Sequence, residues 1–388
     1  MLEAFAGGTE RHLLDLVRHV DGFEHVIAVP SQHLGVSTAR AVRTARDAGA
    51  RVEPLEMGRS GAAVLNLSAF LRLHGLIDDL APDVVHGHSS IGGALARMAT
   101  ATTGVPLVYT PHGLSRARWA TAVERLLRSR IDRFIAVSAS ERDFALAHAV
   151  VRPERVSVIP NGVDLEPPPA PDRSLRERLR IPPGAPLIGC CARLTWQKAP
   201  EVYVAAAALV TRSLPQTRFL LVGSGPLRRS IDRAIVDAGL SHRFHVVPSL
   251  DDASASLPEL DAFVLPSRFE GAPYTPLEAM RAGVPVIVSD AAGNRDTVDS
   301  GISGLIVPTD DPVRLAEAIV EVVRDPGLRN RLVEGGRAAL ARFDVRRMAA
   351  ATQRVYEDVL DERAERLASR RAQRYGAAVV AGELTQRR

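Results

Sequence analysis

The chain is predicted to fold as two doubly wound α/β domains, each a parallel sheet covered by helices on both faces. Three observations predict this. Short runs rich in Val, Ile, Leu and Phe alternate with helix-length segments along most of the chain. The alternation breaks once, at Glu166-Pro167-Pro168-Pro169-Ala170-Pro171-Asp172, a run that suits only extended, fairly stiff backbone. And 388 residues, 46% of them apolar, suit two cores better than one. The strand runs are apolar nearly throughout, as expected of parallel strands buried on both faces.

Before the break, strands are expected at residues 25–30, 51–55, 83–88, 107–110, 133–137 and 156–159, with helices at 9–18, 66–80 and 138–148 among those between them. After it, strands are expected at 187–192, 218–222, 244–248, 262–265, 286–289 and 304–307, with helices at 201–213, 227–238, 312–324 and 328–342. The domains are then 1–165 and 187–344, joined by a linker over 166–186. A long helix over 345–370 and a basic, disordered tail over 371–388 are expected to follow.

Composition removes several function classes. A net charge of +4 is too mild to argue for nucleic acid, and no nucleic-acid-binding motif occurs. Cys190 and Cys191 are the only cysteines; as strand neighbours they point to opposite faces, which excludes a disulfide framework and fits a reducing, cytoplasmic setting. The longest apolar run, residues 202–210, is far short of the ~20 that a spanning helix needs. No D-x-D triplet occurs, so the usual carboxylate grip on a catalytic metal is missing; Asp78-Asp79, Asp251-Asp252 and Asp310-Asp311 read as turns or solvated helix ends. No metal and no cofactor are expected.

Two stretches suggest chemistry. In Arg268-Phe269-Glu270-Gly271-Ala272-Pro273-Tyr274-Thr275-Pro276-Leu277-Glu278, two glutamates flank a Gly/Pro-rich turn between a strand and a helix. The helix start offers unpaired N–H groups to an anion. An ordinary connection with solvated carboxylates would share this spacing. The second stretch is Arg193-Leu194-Thr195-Trp196-Gln197-Lys198, another strand-to-helix turn. Lys198 is the only lysine among 49 Lys and Arg residues. A compact ammonium is a point charge where guanidinium is a planar fork, so a phosphate contact can require the former. A composition that disfavours lysine would also leave one behind by chance.

Arg193 with Lys198, Gly223-Ser224-Gly225-Pro226, and Glu270 with Glu278 resemble the motifs of glycosyltransferase family 4. Gly7-Gly8-Thr9-Glu10-Arg11-His12, Thr110-Pro111-His112-Gly113 and Ile159-Pro160-Asn161-Gly162-Val163-Asp164 match in the same order, so the resemblance spans nearly the whole chain. It implies the GT-B fold, two Rossmann-like domains facing across a cleft. It also implies a retaining, metal-independent transfer from a nucleotide-sugar donor to a saccharide or lipid-linked acceptor in cell-envelope polysaccharide synthesis. By the same resemblance, Arg193 and Lys198 hold the donor diphosphate, with Gly8, Gly223 and Gly225 allowing close approach. Glu278 takes the ribose hydroxyls and Glu270 the donor sugar, along the loop Gly271, Ala272, Pro273, Tyr274 and Thr275. His112 lies beside the reacting sugar, and Gly7, His88 and Asn161 belong to the acceptor side. The family's first strand would precede Gly7; only residues 1–6 do so here, so that strand is expected to be truncated.

Three readings compete with transfer or extend it. A nucleotide-sugar epimerase uses the same fold, and a non-catalytic nucleotide-sugar-binding or scaffold protein would share the motifs. Gly223-Ser224-Gly225 lacks the third glycine of a dinucleotide fingerprint, since Arg228 holds that place. Finally, Arg116, Arg118, Arg125, Arg128, Arg130 and Arg133 stand against only Glu124 and Asp132, interleaved with Trp119, Val123, Leu126 and Leu127. That stretch reads either as a peripheral contact with an anionic membrane or as a sheet-covering helix with a solvated basic face.

Overall fold

The computed structural model describes residues 7–30, 36–56, 63–167, 174–250 and 253–385. The expected truncated strand before Gly7, the centre of the proline-rich run and the Asp251-Asp252 pair lie outside the described residues. The chain divides into two units. The first comprises Met1–Ala136, Arg142–Ile159 and Ala349–Arg388; the second comprises Val137–Glu141 and Pro160–Met348.

In the first unit, β1 (Val26–Pro30) and β2 (Arg51–Leu55) pair as a two-stranded parallel sheet. Strands β3 (Val85–His88), β4 (Leu107–Thr110), β5 (Arg133–Ala136) and β6 (Val156–Val158) form a four-stranded parallel sheet in that order. Leu107, Tyr109, Ile131, Phe134 and Ala136 fill its core beneath the helices. One buried polar network interrupts this apolar interior. Arg97 is fully buried; its Nη1 donates to Glu124 at 2.7 Å, and its Nε donates to the Gly93 carbonyl at 3.0 Å. The Tyr109 hydroxyl donates to the other Glu124 oxygen at 2.9 Å, and the guanidinium lies 4.3 Å above the Tyr109 ring.

The second unit carries a six-stranded parallel sheet ordered β12-β11-β10-β7-β8-β9. Its strands are β7 (Leu187–Cys191), β8 (Arg218–Val222), β9 (Phe244–Val247), β10 (Ala262–Leu265), β11 (Val286–Ser289) and β12 (Leu305–Val307). Alternate strand residues serve two cores. Ile188, Phe219, Leu221, Val264 and Ile287 face one, while Leu187, Leu220, Phe263, Leu265 and Val288 face the other. This is the strand period of two applied to a sheet buried on both sides. Cys190 joins the first core and Cys191 packs against the second, so the thiols do face oppositely; both are free. Burial raises both thiols, that of Cys191 to about 12.

Two boundaries differ from the sequence expectation. The linker was drawn to residue 186, yet Leu175, Ile181 and Ala185 are buried in the second unit. Ser174 begins a helical turn, Leu175–Arg178, where the Glu259 carboxylate accepts from the Leu175 and Arg176 N–H groups at 2.6 and 2.9 Å. Prolines 167–171 marked an extended run, but the apolar residues after it had a core to enter. The last helix runs Val345–Thr385, past residue 370, where a disordered tail was expected to begin. From Ala349 it belongs to the first unit, where the Tyr356 hydroxyl meets His86 Nδ1 at 2.7 Å and Glu362 pairs with Arg133.

Candidate active site

In the second unit the strand order reverses between β7 and β10, which carry the chain to opposite sides of the sheet. Ligands of open α/β sheets bind outside the carboxyl ends of strands at such a point. The predicted donor residues fall there: Arg193 and Lys198 follow β7, Gly223 and Gly225 follow β8, and Glu270 to Thr275 follow β10.

These three loops are cross-linked. Leu194 N donates to Ser224 O at 2.9 Å, Leu227 N to Leu194 O at 3.0 Å, Arg268 N to Gln197 O at 2.8 Å, and Gln197 Nε2 to Phe269 O at 3.0 Å. Arg268 also stacks over Trp196 at 4.9 Å and forms ion pairs with Glu201 and Asp310, each at 2.7 Å. Gly223 (φ 153°) and Gly225 (φ 158°) are required by this packing. A Cβ on either would lie 1.9 Å from Ala192 O or 2.4 Å from Leu194 O. Their visible role is thus to let the β8 loop close on the Arg193 loop.

Lys198 ends a short 3₁₀ turn, Trp196–Lys198, and its Nζ meets Glu270 Oε1 at 2.5 Å; the two side chains are 16% and 5% exposed. The two cations foreseen for a diphosphate therefore differ. Arg193 is exposed and forms no ion pair among the described residues, whereas Lys198 is tethered by a carboxylate and keeps two further N–H donors for a ligand. Glu270, expected on the donor sugar, already spends one oxygen on Lys198.

The helix after the loop spans Tyr274–Arg281 with Pro273 as its N-cap. Glu278 stands in its second turn. It lines a pocket with Thr275, Cys191, Gly189, Val222 and Leu250, apolar on most sides. Two expected site residues take positions that the spacing did not show. Tyr274 is only 6% exposed and packs in the core with Leu277 and Phe343, because a first-turn position of this helix faces the sheet. Asn161, expected on the acceptor side, falls in the second unit, where its Nδ2 donates to Ala272 O at 2.7 Å and braces the loop after β10.

The first unit holds a histidine cluster. His86 and His88 alternate on β3 around Gly87, and His112 follows β4 with a left-handed φ of 58°. Few non-glycine residues adopt that conformation, and it here turns the imidazole back towards β3. His88 Nδ1 and His112 Nε2 are 3.0 Å apart. His12, from the helix Gly8–His19, brings its ring centroid to 4.6 Å from His112 and 5.6 Å from His88. Burial, and then neighbouring imidazoles, hold His86, His88 and His112 well below the ordinary histidine value, so they are neutral at pH 7. His12 and His86 were missed as site residues because sequence spacing does not show that a helix and two strands converge there. Gly7 caps the first helix with φ 89°, and both Gly7 and Gly8 are exposed.

The basic stretch resolves more sharply than its sequence suggested. Helix Arg118–Leu126 buries Ala120 and Glu124 and exposes Trp119 (75%), Val123 (41%) and Leu126 (79%) along one stripe. Glu124 is spent on Arg97, and one Asp132 oxygen accepts from Leu107 N at 2.9 Å, so both acids that tempered the stretch turn inward. Arg133 is likewise withdrawn, into its pair with Glu362. Arg116, Arg118, Arg125, Arg128 and Arg130 remain exposed.

Comparison with known proteins gives consistent likenesses. Residues 6–167 match the family model described as Glycosyltransferase Family 4, and residues 172–339 match that described as Glycosyl transferases group 1. A D-inositol 3-phosphate glycosyltransferase of Thermobispora bispora is 30% identical over 320 residues, covering 76% of this chain and 75% of that protein. The UDP-Gal:alpha-D-GlcNAc-diphosphoundecaprenol alpha-1,3-galactosyltransferase of Escherichia coli is 29% identical over 299 residues, 71% of this chain and 77% of its own. Among solved structures, Anabaena HepE in complex with UDP and glucose superposes with a TM-score of 0.78 at 20% identity, covering 91% of this chain and 96% of that one.

Proposed function

Since the chain belongs to glycosyltransferase family 4, and is a GT-B glycosyltransferase drawing on a nucleotide-sugar donor, we propose that it transfers a hexose from a nucleoside diphosphate sugar to a saccharide or lipid-linked acceptor in envelope polysaccharide synthesis, with retention and without a metal. The observation that carries this reading is the convergence of Arg193, Lys198 and the Glu270 loop at the switch point of the second unit's sheet.

In this reading the bond between the anomeric carbon and the diphosphate oxygen breaks, and its electron pair goes to the phosphate. Lys198, held by Glu270, meets that charge in a fixed position that needs little reorganisation, and the exposed Arg193 adds a second cation. Glu270, held on Lys198, orients the ammonium and offers its second oxygen to a sugar hydroxyl. With that carboxylate engaged, the acceptor oxygen attacks from the leaving-group face, and its proton passes to the departing phosphate. The neutral His112 positions the reacting sugar by hydrogen bonding. Glu278 accepts from the ribose diol, its pocket's apolar walls holding the base.

The reading is tested by incubating the protein with UDP-, GDP- and ADP-sugars with and without chelator. Slow release of free sugar without acceptor supports it, and chelator is expected to leave the rate unchanged. Interconversion of sugars would favour an epimerase, and neither reaction a binding protein. Glu278→Gln is expected to weaken donor binding about ten- to a hundredfold by calorimetry, on the scale of roughly 1.5–3 kcal/mol for a hydrogen bond to a charged group. Unchanged affinity would remove Glu278 from the ribose.

A lipid-linked acceptor is favoured by the exposed Trp119, Val123 and Leu126 stripe among exposed arginines. That pattern suits a helix lying on an anionic surface. The Escherichia coli relative, whose name specifies a diphosphoundecaprenol, supports the same acceptor class. No helix among the described residues is long and apolar enough to cross a membrane. Trp119→Ser with Leu126→Ser is expected to abolish co-sedimentation with anionic vesicles while leaving the melting temperature unchanged. Equal sedimentation of both proteins would exclude this face.

A further inference from the structure

We propose that His12, His88 and His112 form a binding site for a divalent transition-metal ion of the zinc type, and that its occupancy inhibits the enzyme. One ring nitrogen from each lies within 4.8 Å of the others, all inside the first unit. Three imidazoles on a tetrahedral ion, with nitrogens about 2.0–2.1 Å from the metal, stand about 3.4 Å apart, so closure needs shifts of no more than about 1.5 Å. The His88–His112 pair, at 3.0 Å, is already near that separation.

Burial and access suit an ion at this cluster, which would displace the His88–His112 hydrogen bond. His12 and His88 are each 1% exposed, so their rings are held in place by packing, while His112 is partly exposed and gives an ion and a water ligand their entry. His86 is not part of the ligand set, since its two nitrogens meet the Tyr356 hydroxyl at 2.7 Å and Thr110 Oγ1 at 2.8 Å. Its ring, 3.9 Å from that of His88, backs the site as a fixed wall. Three nitrogen ligands with no carboxylate in the set select zinc, nickel, cobalt or copper over magnesium and calcium. The inhibitory part rests on the transferase reading, which assigns His112 to the reacting sugar: coordination takes one of its nitrogens and fixes the ring.

The test uses the full chain, stripped with chelator, titrated with Zn2+ by calorimetry and with Co2+ by visible absorption. One equivalent of Zn2+ is expected to bind, Co2+ is expected to give the intense bands of a four-coordinate nitrogen site, and Mg2+ is expected to produce no heat. His12→Gln is expected to weaken Zn2+ binding by at least the 10- to 100-fold that loss of even an outer partner costs a metal site. Zn2+ is expected to suppress transfer in the wild type, chelator to restore it, and His12→Gln to move the inhibition to higher Zn2+. Pale six-coordinate Co2+ spectra, or Zn2+ affinity unchanged in His12→Gln, would overturn the site. Stoichiometric binding with full activity would overturn the inhibition. The Co2+ spectrum of the wild type decides the site even if the variant fails to fold. Both binding measurements also stand if no transfer is detected, so a failed transferase reading is told apart from a failed metal site.

Discussion

Lys198→Arg is expected to lower turnover by about 10²–10³, although it preserves the charge and matches every other basic position in the chain; losing one preorganised stabilising group has effects of that size. Lys198 is 16% exposed and pressed against a Glu270 side chain that is 5% exposed, so an arginine has no room to extend outward. Its planar fork would engage Glu270 with both arms and leave no N–H aimed at a phosphate oxygen, whereas an ammonium holds one carboxylate oxygen and keeps two donors. The loss should appear in kcat with saturating donor and acceptor. Lys198→Ala should be at least as slow, and should also lower the melting temperature because Glu270 is left buried without its partner. Wild-type kinetics in Lys198→Arg would reduce the lone lysine to an accident of composition.

The largest effect on stability is expected at Glu124, in the buried polar network of the first unit. Glu124→Ala should cost about 3–5 kcal/mol, the range for removing one partner of a buried ion pair. Arg97 is fully buried, and its remaining contacts, the Gly93 carbonyl and the Tyr109 ring, carry no net charge. At roughly 2–4 °C per kcal/mol for a unit of this size, melting should fall by about 6–20 °C. The double variant Arg97→Met with Glu124→Leu should recover most of the loss, since apolar replacement of a buried pair is often neutral. A double variant no more stable than Glu124→Ala would mean that shape at this position, and not an uncompensated charge, sets the loss.

The strands were legible because parallel strands buried on both faces need continuous apolar runs, and nearly every run here became one. Arg193, Lys198, Gly223 and Glu270 were grouped by the family resemblance, and the loops after β7, β8 and β10 do bring them to one edge of the sheet, where an open sheet collects its loops. What spacing did not reveal was which side chains would touch. Lys198 and Glu270 are 72 positions apart, and only the adjacency of β7 and β10 joins them. His12 stood in a glycine-led motif, and spacing did not show that its ring would meet those of His88 and His112. Tyr274 sat in a loop-like string, yet it opens the helix and its ring enters the core. Glu124 counted as a surface acid because nothing in a basic, amphipathic segment distinguishes a carboxylate that faces inward.

The cross-linking of the three loops after β7, β8 and β10 has a thermodynamic consequence. A loop that must be ordered by its ligand subtracts that ordering from the binding free energy, at about 0.5–1.5 kcal/mol for each side chain immobilised. Here the backbone around Arg193 is pinned to Ser224 and Leu227, that around Gln197 to Arg268, and Trp196 is covered by the Arg268 guanidinium. The frame offered to a ligand is already in register, and the exposed Arg193 side chain keeps most of the freedom left to lose. Affinity at this face is therefore governed by contact and desolvation, with little entropy spent on assembling the site.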